Sequence, residues 1–248
     1  MNKHFFFILS ALLVASSAFS QGTIFEEKRT IYASESSLGV HLHTSGIGFN
    51  YRYNKYLTGF TKRSYEIEWV TIKHPKEVKS YNPNFDNAKS YILGKLASFS
   101  ALRLSVGYHK VFIGKQSIKG IDIAWLYNVG LSLGYAKPYY LLVIKRIDLN
   151  STLLQSETFD PYEHNITNIY GRDNGLRGLF EGKFYPGIHS KFGFNFETSP
   201  YSDGLKSIEC GVAVDYYFKE VPIMALAKNY SLFFNLYINF LIGGKKTV

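Results

Sequence analysis

From Gly120 to Tyr135 the chain reads GIDIAWLYNVGLSLGY, and its residues sort by parity. Ile121, Ile123, Trp125, Tyr127, Val129, Leu131 and Leu133 are apolar or aromatic. Asp122, Ala124, Leu126, Asn128, Gly130, Ser132 and Gly134 are mostly small or polar. A strand sends alternate side chains to opposite faces, so this stretch predicts a ribbon greasy on one side and small or polar on the other. It runs for about 15 residues, where a soluble strand has about 5–6 and a strand crossing a bilayer needs about 9–11. Such a ribbon suits a wall standing in lipid.

The same alternation recurs along the chain. Leu38, Val40 and Leu42 oppose Gly39, His41 and His43; after a turn at Thr44-Ser45-Gly46, Ile47, Phe49, Tyr51 and Tyr53 oppose Gly48, Asn50 and Arg52. Tyr65, Ile67 and Trp69 oppose Ser64, Glu66 and Glu68, and Leu102, Leu104, Val106 and Tyr108 oppose Arg103, Ser105, Gly107 and His109. Further on, Phe192, Phe194 and Phe196 face away from Lys191, Asn195 and Glu197, and Ile208, Cys210, Val212 and Val214 from Glu209, Gly211, Ala213 and Asp215. The last segment sets Leu232, Phe234, Leu236, Ile238, Phe240 and Ile242 against Asn235, Tyr237 and Asn239. The expected fold is all-β: a closed, antiparallel, up-and-down transmembrane β-barrel of about eight strands.

Connection lengths add an independent check. The turns about Asn54, Gly114 and Ser199 are short, whereas 74–96 and 137–186 are long, with Pro75 and Pro83 in the first and Pro138, Pro161 and Pro186 in the second. With both termini in the periplasm the two long connections fall on the external side, where such barrels carry their larger loops. Thr44–Gly46, an external turn on this scheme, is short and fits less well. A short helix is expected within Asn87–Phe99, and 137–186 is expected to be irregular.

Met1–Ser20 has the form of a secretory signal peptide. Lys3 and His4 begin it, Phe5–Ala15 is nearly all apolar, and Ala18-Phe19-Ser20 supplies small residues ahead of cleavage before Gln21. The apolar run is too short for a spanning helix. The chain therefore divides into 1–20 leader, 21–35 periplasmic lead-in and 36–248 barrel, and is expected to be exported to the outer membrane of a Gram-negative cell.

Composition agrees with a lipid-facing wall. Aromatics make up 17%, with 20 Tyr and 20 Phe, as aromatic girdles require, while the mean hydropathy is only −0.08. Rings gather near the strand ends: Tyr53, Tyr56 and Phe60, then Tyr108 and Phe112, then Tyr216–Phe218 and Tyr230. One cysteine, Cys210, excludes an internal disulfide framework and a cysteine-rich zinc site. The net charge is +9, yet no basic run exceeds Lys245-Lys246. Scattered cations of this kind argue against a nucleic-acid partner and suit solvated turns and anionic headgroups.

The inward parity collects Arg52, Glu66, Glu68, Arg103, Asp122, Lys191, Glu197, Glu209 and Asp215. An eight-stranded barrel has room for side chains and no wide channel, and enclosed charges must pair. A structural charge network filling the lumen is the expectation; a narrow conduit is the sharper alternative. Glu66 and Glu68 share a face and are the one pair that could hold a general acid. His41 and His43 also share a face, but no third ligand can be assigned, and no metal or other cofactor is expected. No phosphate-binding glycine loop is present in the chain.

The ending Ala18-Phe19-Ser20-Gln21, the alternating Gly120–Gly134, Tyr185-Pro186-Gly187 leading into Lys191–Glu197, and the closing strand with its Gly243-Gly244-Lys245-Lys246 tail together resemble the small outer-membrane β-barrel proteins of Bacteroidetes-type bacteria. The resemblance covers the mature chain and implies a barrel without a defined activity. The last strand is similar to the signal read by barrel-assembly machinery, although a strict terminal aromatic is absent. The function expected is a structural or interaction role in the cell envelope. The expected partners are outer-membrane lipids and lipopolysaccharide, together with an envelope protein met through the long loops. A small barrel enzyme acting on lipid, or a narrow pore, is the alternative.

Overall fold

In the computed structural model the described residues are 32–85, 87–114, 121–148, 151–198 and 204–247. The leader, 21–31 of the lead-in, and the turns at 115–120 and 199–203 lie outside them. The strands are β1 (Tyr32–His43), β2 (Gly46–Tyr56), β3 (Thr61–Ile72), β4 (Lys79–Ser80), β5 (Tyr91–Ile92), β6 (Ala97–Ile113), β7 (Asp122–Pro138), β8 (Tyr140–Asp148), β9 (Ser151–Thr158), β10 (Ile169–Arg172), β11 (Lys183–Glu197), β12 (Gly204–Val221) and β13 (Tyr230–Thr247). Eight of them, β1, β2, β3, β6, β7, β11, β12 and β13, close into one barrel in which every neighbour pair is antiparallel.

Parity decides which side chain faces where. Along β7, Trp125, Tyr127, Val129, Leu131 and Leu133 are exposed on the outer surface, while Ala124, Leu126, Asn128 and Ser132 are buried inside. Neighbours agree in register: Leu131 lies opposite Leu104 on β6 and Ile188 on β11, both exposed as well. The outer surface is thus a continuous apolar band, and no strand of the ring is left with a free edge.

The strands reach further than the alternation alone indicated. β1 begins at Tyr32, so Tyr32–Glu35 belong to the barrel rather than to a lead-in, and Gly243–Lys245 are paired wall opposite Glu35–Ser37 rather than a tail. β7 runs through Pro138 and β11 starts at Lys183, so both ends of 137–186 are wall as well. The segment between them is not irregular. It holds β8, β9 and β10, a three-stranded sheet in the order β10-β8-β9. The expected helix in Asn87–Phe99 is absent: Tyr91–Ile92 pair with Lys79–Ser80, and Ala97–Phe99 open β6. Lys79 and Tyr91 thus satisfy their backbone groups across a hairpin, an option a polar, proline-containing stretch retains once a neighbouring surface fixes it.

The two ends of the barrel differ. One end carries both termini of the described barrel, the connection 57–60, the C-terminal ends of β6 and β11, and the N-terminal ends of β7 and β12. The other carries the short turn at Thr44-Ser45, then 73–96, 139–182 and 222–229. At this second end Tyr91, Tyr139, Leu141, Val143, Phe159 and Ile169 form an apolar core of their own beneath the β8–β10 sheet. Asn82 ties this cap down by donating to the carbonyls of Thr167 and Ile169. The amides of Leu96 and Ala225 donate to Ile223 and Gly94.

Candidate functional site

The inward-facing residues are the chemically loaded part of the chain. At the end near the termini, Lys62 Nζ donates to Glu35 Oε2 at 2.8 Å and lies 3.5 Å from Glu197 Oε2. Lys245 joins Glu197, and Asn54 and Tyr56 donate to Glu35. Half-buried Asp122, at the start of β7, stands opposite Glu197 in register.

Deeper in, Arg52 bridges Glu66, at 2.8 Å, and Glu209. Lys191 Nζ approaches Glu66 at 2.8 Å and Glu209 at 3.5 Å, and it also donates to Glu68. Asn128 donates to Glu66 and Tyr237 to Glu209. One level further, Arg103 forks onto Asp215 through Nε (2.9 Å) and Nη2 (2.6 Å), and its Nη1 reaches Glu68 at 3.1 Å. His189 Nδ1 lies 3.0 Å from Asp215 Oδ1. Arg52 and Arg103 are 1% and 0% exposed, a depth at which an ion persists only with partners around it. Gly39 makes room here: a Cβ would lie 2.2 Å from Asn50 Oδ1 and 2.7 Å from Asn239 Oδ1.

The structure thus brings Arg52, Glu66, Glu68, Arg103, Lys191, Glu197, Glu209 and Asp215 into ion pairs with one another or with Glu35, Lys62 and Lys245, and sets Asp122 beside Glu197 in register. Glu66 and Glu68 each accept from two cations, and neither opens onto a cleft, so their geometry is that of ion-pair acceptors rather than of a general acid with a substrate. His41 stacks on Tyr237 at 4.9 Å and stands 5.5 Å from His43, ring centre to ring centre.

Above the ions, toward the cap, the interior turns apolar. Val70, Ile72, Ala97, Phe99, Ala101, Tyr217, Val221, Ile223 and Phe233 are buried together there. Phe99, Tyr217 and Phe233 form a triangle with centroid separations of 5.1, 5.9 and 5.8 Å, and the Tyr217 hydroxyl meets Ser132 Oγ at 2.9 Å. Ions thus line the part of the bore nearer the termini and rings the part nearer the cap.

Outside the wall, Glu157, Glu163 and His164 come close enough to hold a metal ion. The hydrogen bonds assign them otherwise. His164 Nδ1 accepts from the Asp160 amide at 2.9 Å, which leaves the ring proton on Nε2, 3.2 Å from Glu157 Oε2. Glu157 also takes Lys145, whose hydrogen bond, the largest cause, holds the carboxyl below its ordinary range. Lys145, Glu157, His164 and the Asp160 amide thus form a chain of hydrogen bonds beside the β8–β9 hairpin, with Glu163 exposed next to it.

Sequence reasoning missed Glu35, Lys62 and Lys245. The signal was present in parity: Lys62, Ser64, Glu66 and Glu68 are inward at every second position, and Glu35, Ser37, Gly39 and His41 likewise. It was hidden because the outward neighbours there, Ser34, Ser36, Thr61 and Arg63, are themselves polar.

No family model matches the chain, and no curated protein matches it by sequence. Among solved structures, Neisserial surface protein A aligns at 7% identity and TM-score 0.38, over 87% of this chain and 96% of that one. Ail, the attachment invasion locus protein of Yersinia pestis, aligns at 9% identity and TM-score 0.38, over 87% and 98%. The N-terminal β-barrel domain of Pseudomonas aeruginosa OprF aligns at 8% identity and TM-score 0.32, over 86% and 99%.

Proposed function

We propose that this chain is an integral outer-membrane β-barrel of the cell envelope, closed to conduction, whose cap is an interaction surface. One observation carries the reading: the barrel is inside out by the standards of a soluble protein. Leu131 is 67% exposed and Phe234 61% on the outer wall, while Arg52, Arg103, Lys191, Glu209 and Asp215 are enclosed. Only a surrounding of acyl chains makes that arrangement favourable, because water would reward the opposite one. The leader expected over Met1–Ser20 supports export, and the resemblance to Bacteroidetes-type barrels supports a Gram-negative outer membrane.

The filled bore supports a structural or binding role over a pore. An ion entering it would have to separate paired charges and then pass the Phe99–Tyr217–Phe233 stopper. The cap offers Tyr162, Ile166, Leu153 and Leu154 exposed, and an envelope protein is the partner expected there. The mature protein should stay insoluble without detergent, fold into lipid vesicles with a heat-sensitive shift in gel mobility, and give no conductance step in a planar bilayer. Monodisperse behaviour in detergent-free buffer would overturn the reading. Purification in mild detergent under native conditions identifies the partner, and a cap deletion that left the recovered complex unchanged would remove the cap from the interface.

A further inference from the structure

On the outer wall at the cap end, β7 and β6 run from apolar to cationic within a few residues. Leu133 faces out opposite Leu102, Tyr135 opposite Ser100, and Lys137 opposite Ser98. At a rise of about 3.4 Å per residue, Lys137 stands roughly one headgroup layer above the apolar band. There the segment 174–182 folds back against the wall. Tyr135 donates to the Leu179 carbonyl and accepts from the Gly182 amide, and Lys137 donates to the Gly175 carbonyl. The fold-back leaves a cavity of about 170 Å³ lined by Ser98, Lys137, Tyr140, Arg172, Asp173 and Arg177, among others.

The charges around this cavity are unbalanced. Arg177 pairs with Asp173 at 3.2 Å and lies over the Tyr140 ring, whose hydroxyl donates to Glu181. Lys137 and Arg172 have no carboxylate partner among the described residues, although everywhere inside the barrel lysine and arginine are matched. The rim beside the cavity is apolar and bare: Leu176 is exposed, Phe180 is 95% exposed, and Phe184 packs on Tyr135 at 4.9 Å. Rings and leucines level with the top of a lipid-facing wall, with two unmatched cations just above them, is the pattern that an anionic interface selects.

We propose that Lys137 and Arg172 hold the phosphate of a membrane lipid headgroup, with Phe180, Leu176 and Phe184 resting among that lipid's upper acyl carbons. This rests on the membrane-barrel reading and deepens it by naming the lipid chemistry and the place. The lipid is the source favoured over free phosphate because the apolar shelf is continuous with the lipid-facing band, which a free anion would not use.

The full-length mature chain, folded into detergent micelles, is given phosphatidylglycerol and phosphatidylcholine in equal amounts, and the lipid retained is read by native mass spectrometry. The wild type should retain phosphatidylglycerol preferentially. Lys137→Glu with Arg172→Glu should lower that preference by about tenfold or more, since each cation near an anionic surface contributes about 1 kcal/mol. Phe180→Ser should weaken retention of both lipids. Equal retention by the wild type, or an unchanged preference in the double variant, overturns the site, and so does release of the lipid by millimolar inorganic phosphate. Gel mobility of the folded form separates the two ideas: a folded barrel without preference sinks only this site, whereas failure of the wild type to fold in any lipid sinks the barrel and the site together.

Discussion

Toward the termini the barrel encloses Glu35, Lys62, Arg52, Glu66, Lys191, Glu209, Arg103 and Asp215; toward the cap it encloses Val70, Ile72, Ala97, Phe99, Tyr217, Val221 and Phe233. The change happens within single strands. On β3 the inward series runs Glu66, Glu68, Val70, Ile72, and on β6 it runs Arg103, Ala101, Phe99, Ala97. The two halves solve one packing problem with opposite consequences. In the ionic half a slip of one residue would turn the paired charges onto the apolar outer face, so pairing register is specified strongly. In the apolar half the inward surface joins a further apolar group from 222–229 through Ile223 and Met224. That half can therefore serve as the floor on which the connections at that end are built.

The contrast is broken most severely by taking one cation from the ionic half. Arg103→Met leaves Glu68, Asp215 and His189 facing one another, and should cost about 3–5 kcal/mol as a buried pair losing one member does. The urea midpoint of the gel-mobility transition in vesicles reads that loss. A matching change in the apolar half, Ile72→Val, removes one buried methylene and should cost about 1 kcal/mol, read by the same transition. If the two variants unfold at the same urea concentration, the halves do not differ in the way described. The smallest effect belongs outside the bore. The Glu157 carboxyl is held below its ordinary range, so the Lys145–Glu157 pair supports the β8–β9 hairpin above that range and the support is lost as pH falls through the lowered value. Protection factors of the Ser151–Thr158 amides, referred to the intrinsic exchange rate at each pH, should fall in acid while those of the barrel strands stay high; a parallel fall in both would tie the cap to the wall more tightly than drawn.

Much of the wall was legible because an apolar outer face and a crowded polar bore impose strict alternation. Gly120–Tyr135 shows it most plainly, and Arg52, Glu66, Arg103, Lys191, Glu209 and Asp215 could be placed inside from parity alone. The legible part stops where the outer surface leaves the apolar band. At Ser34–Ser36 and Thr61–Arg63 both faces are polar, so Glu35 falls in the expected lead-in and Lys62 is not singled out as inward, although both are buried. The cap was illegible for a different reason. In β9, Leu153 and Leu154 are adjacent and both exposed, so no period of two appears there. Its order comes from pairing with β8 and from the apolar floor beneath Leu141 and Val143, which are long-range contacts.

The ring is sealed between β1 and β13, whose register runs from Tyr32 opposite Thr247 to His43 opposite Tyr237. Every other seam joins ring strands that are successive along the chain, with only the cap strands β4–β5 and β8–β10 intervening. This one waits for the final 18-residue strand. A chain cut short before Tyr230 would leave β1 and β12 each with a raw ladder of unpaired peptide groups. The ring thus has one latch of long sequence separation: β1 and β12 each keep an open edge until β13 is seated between them.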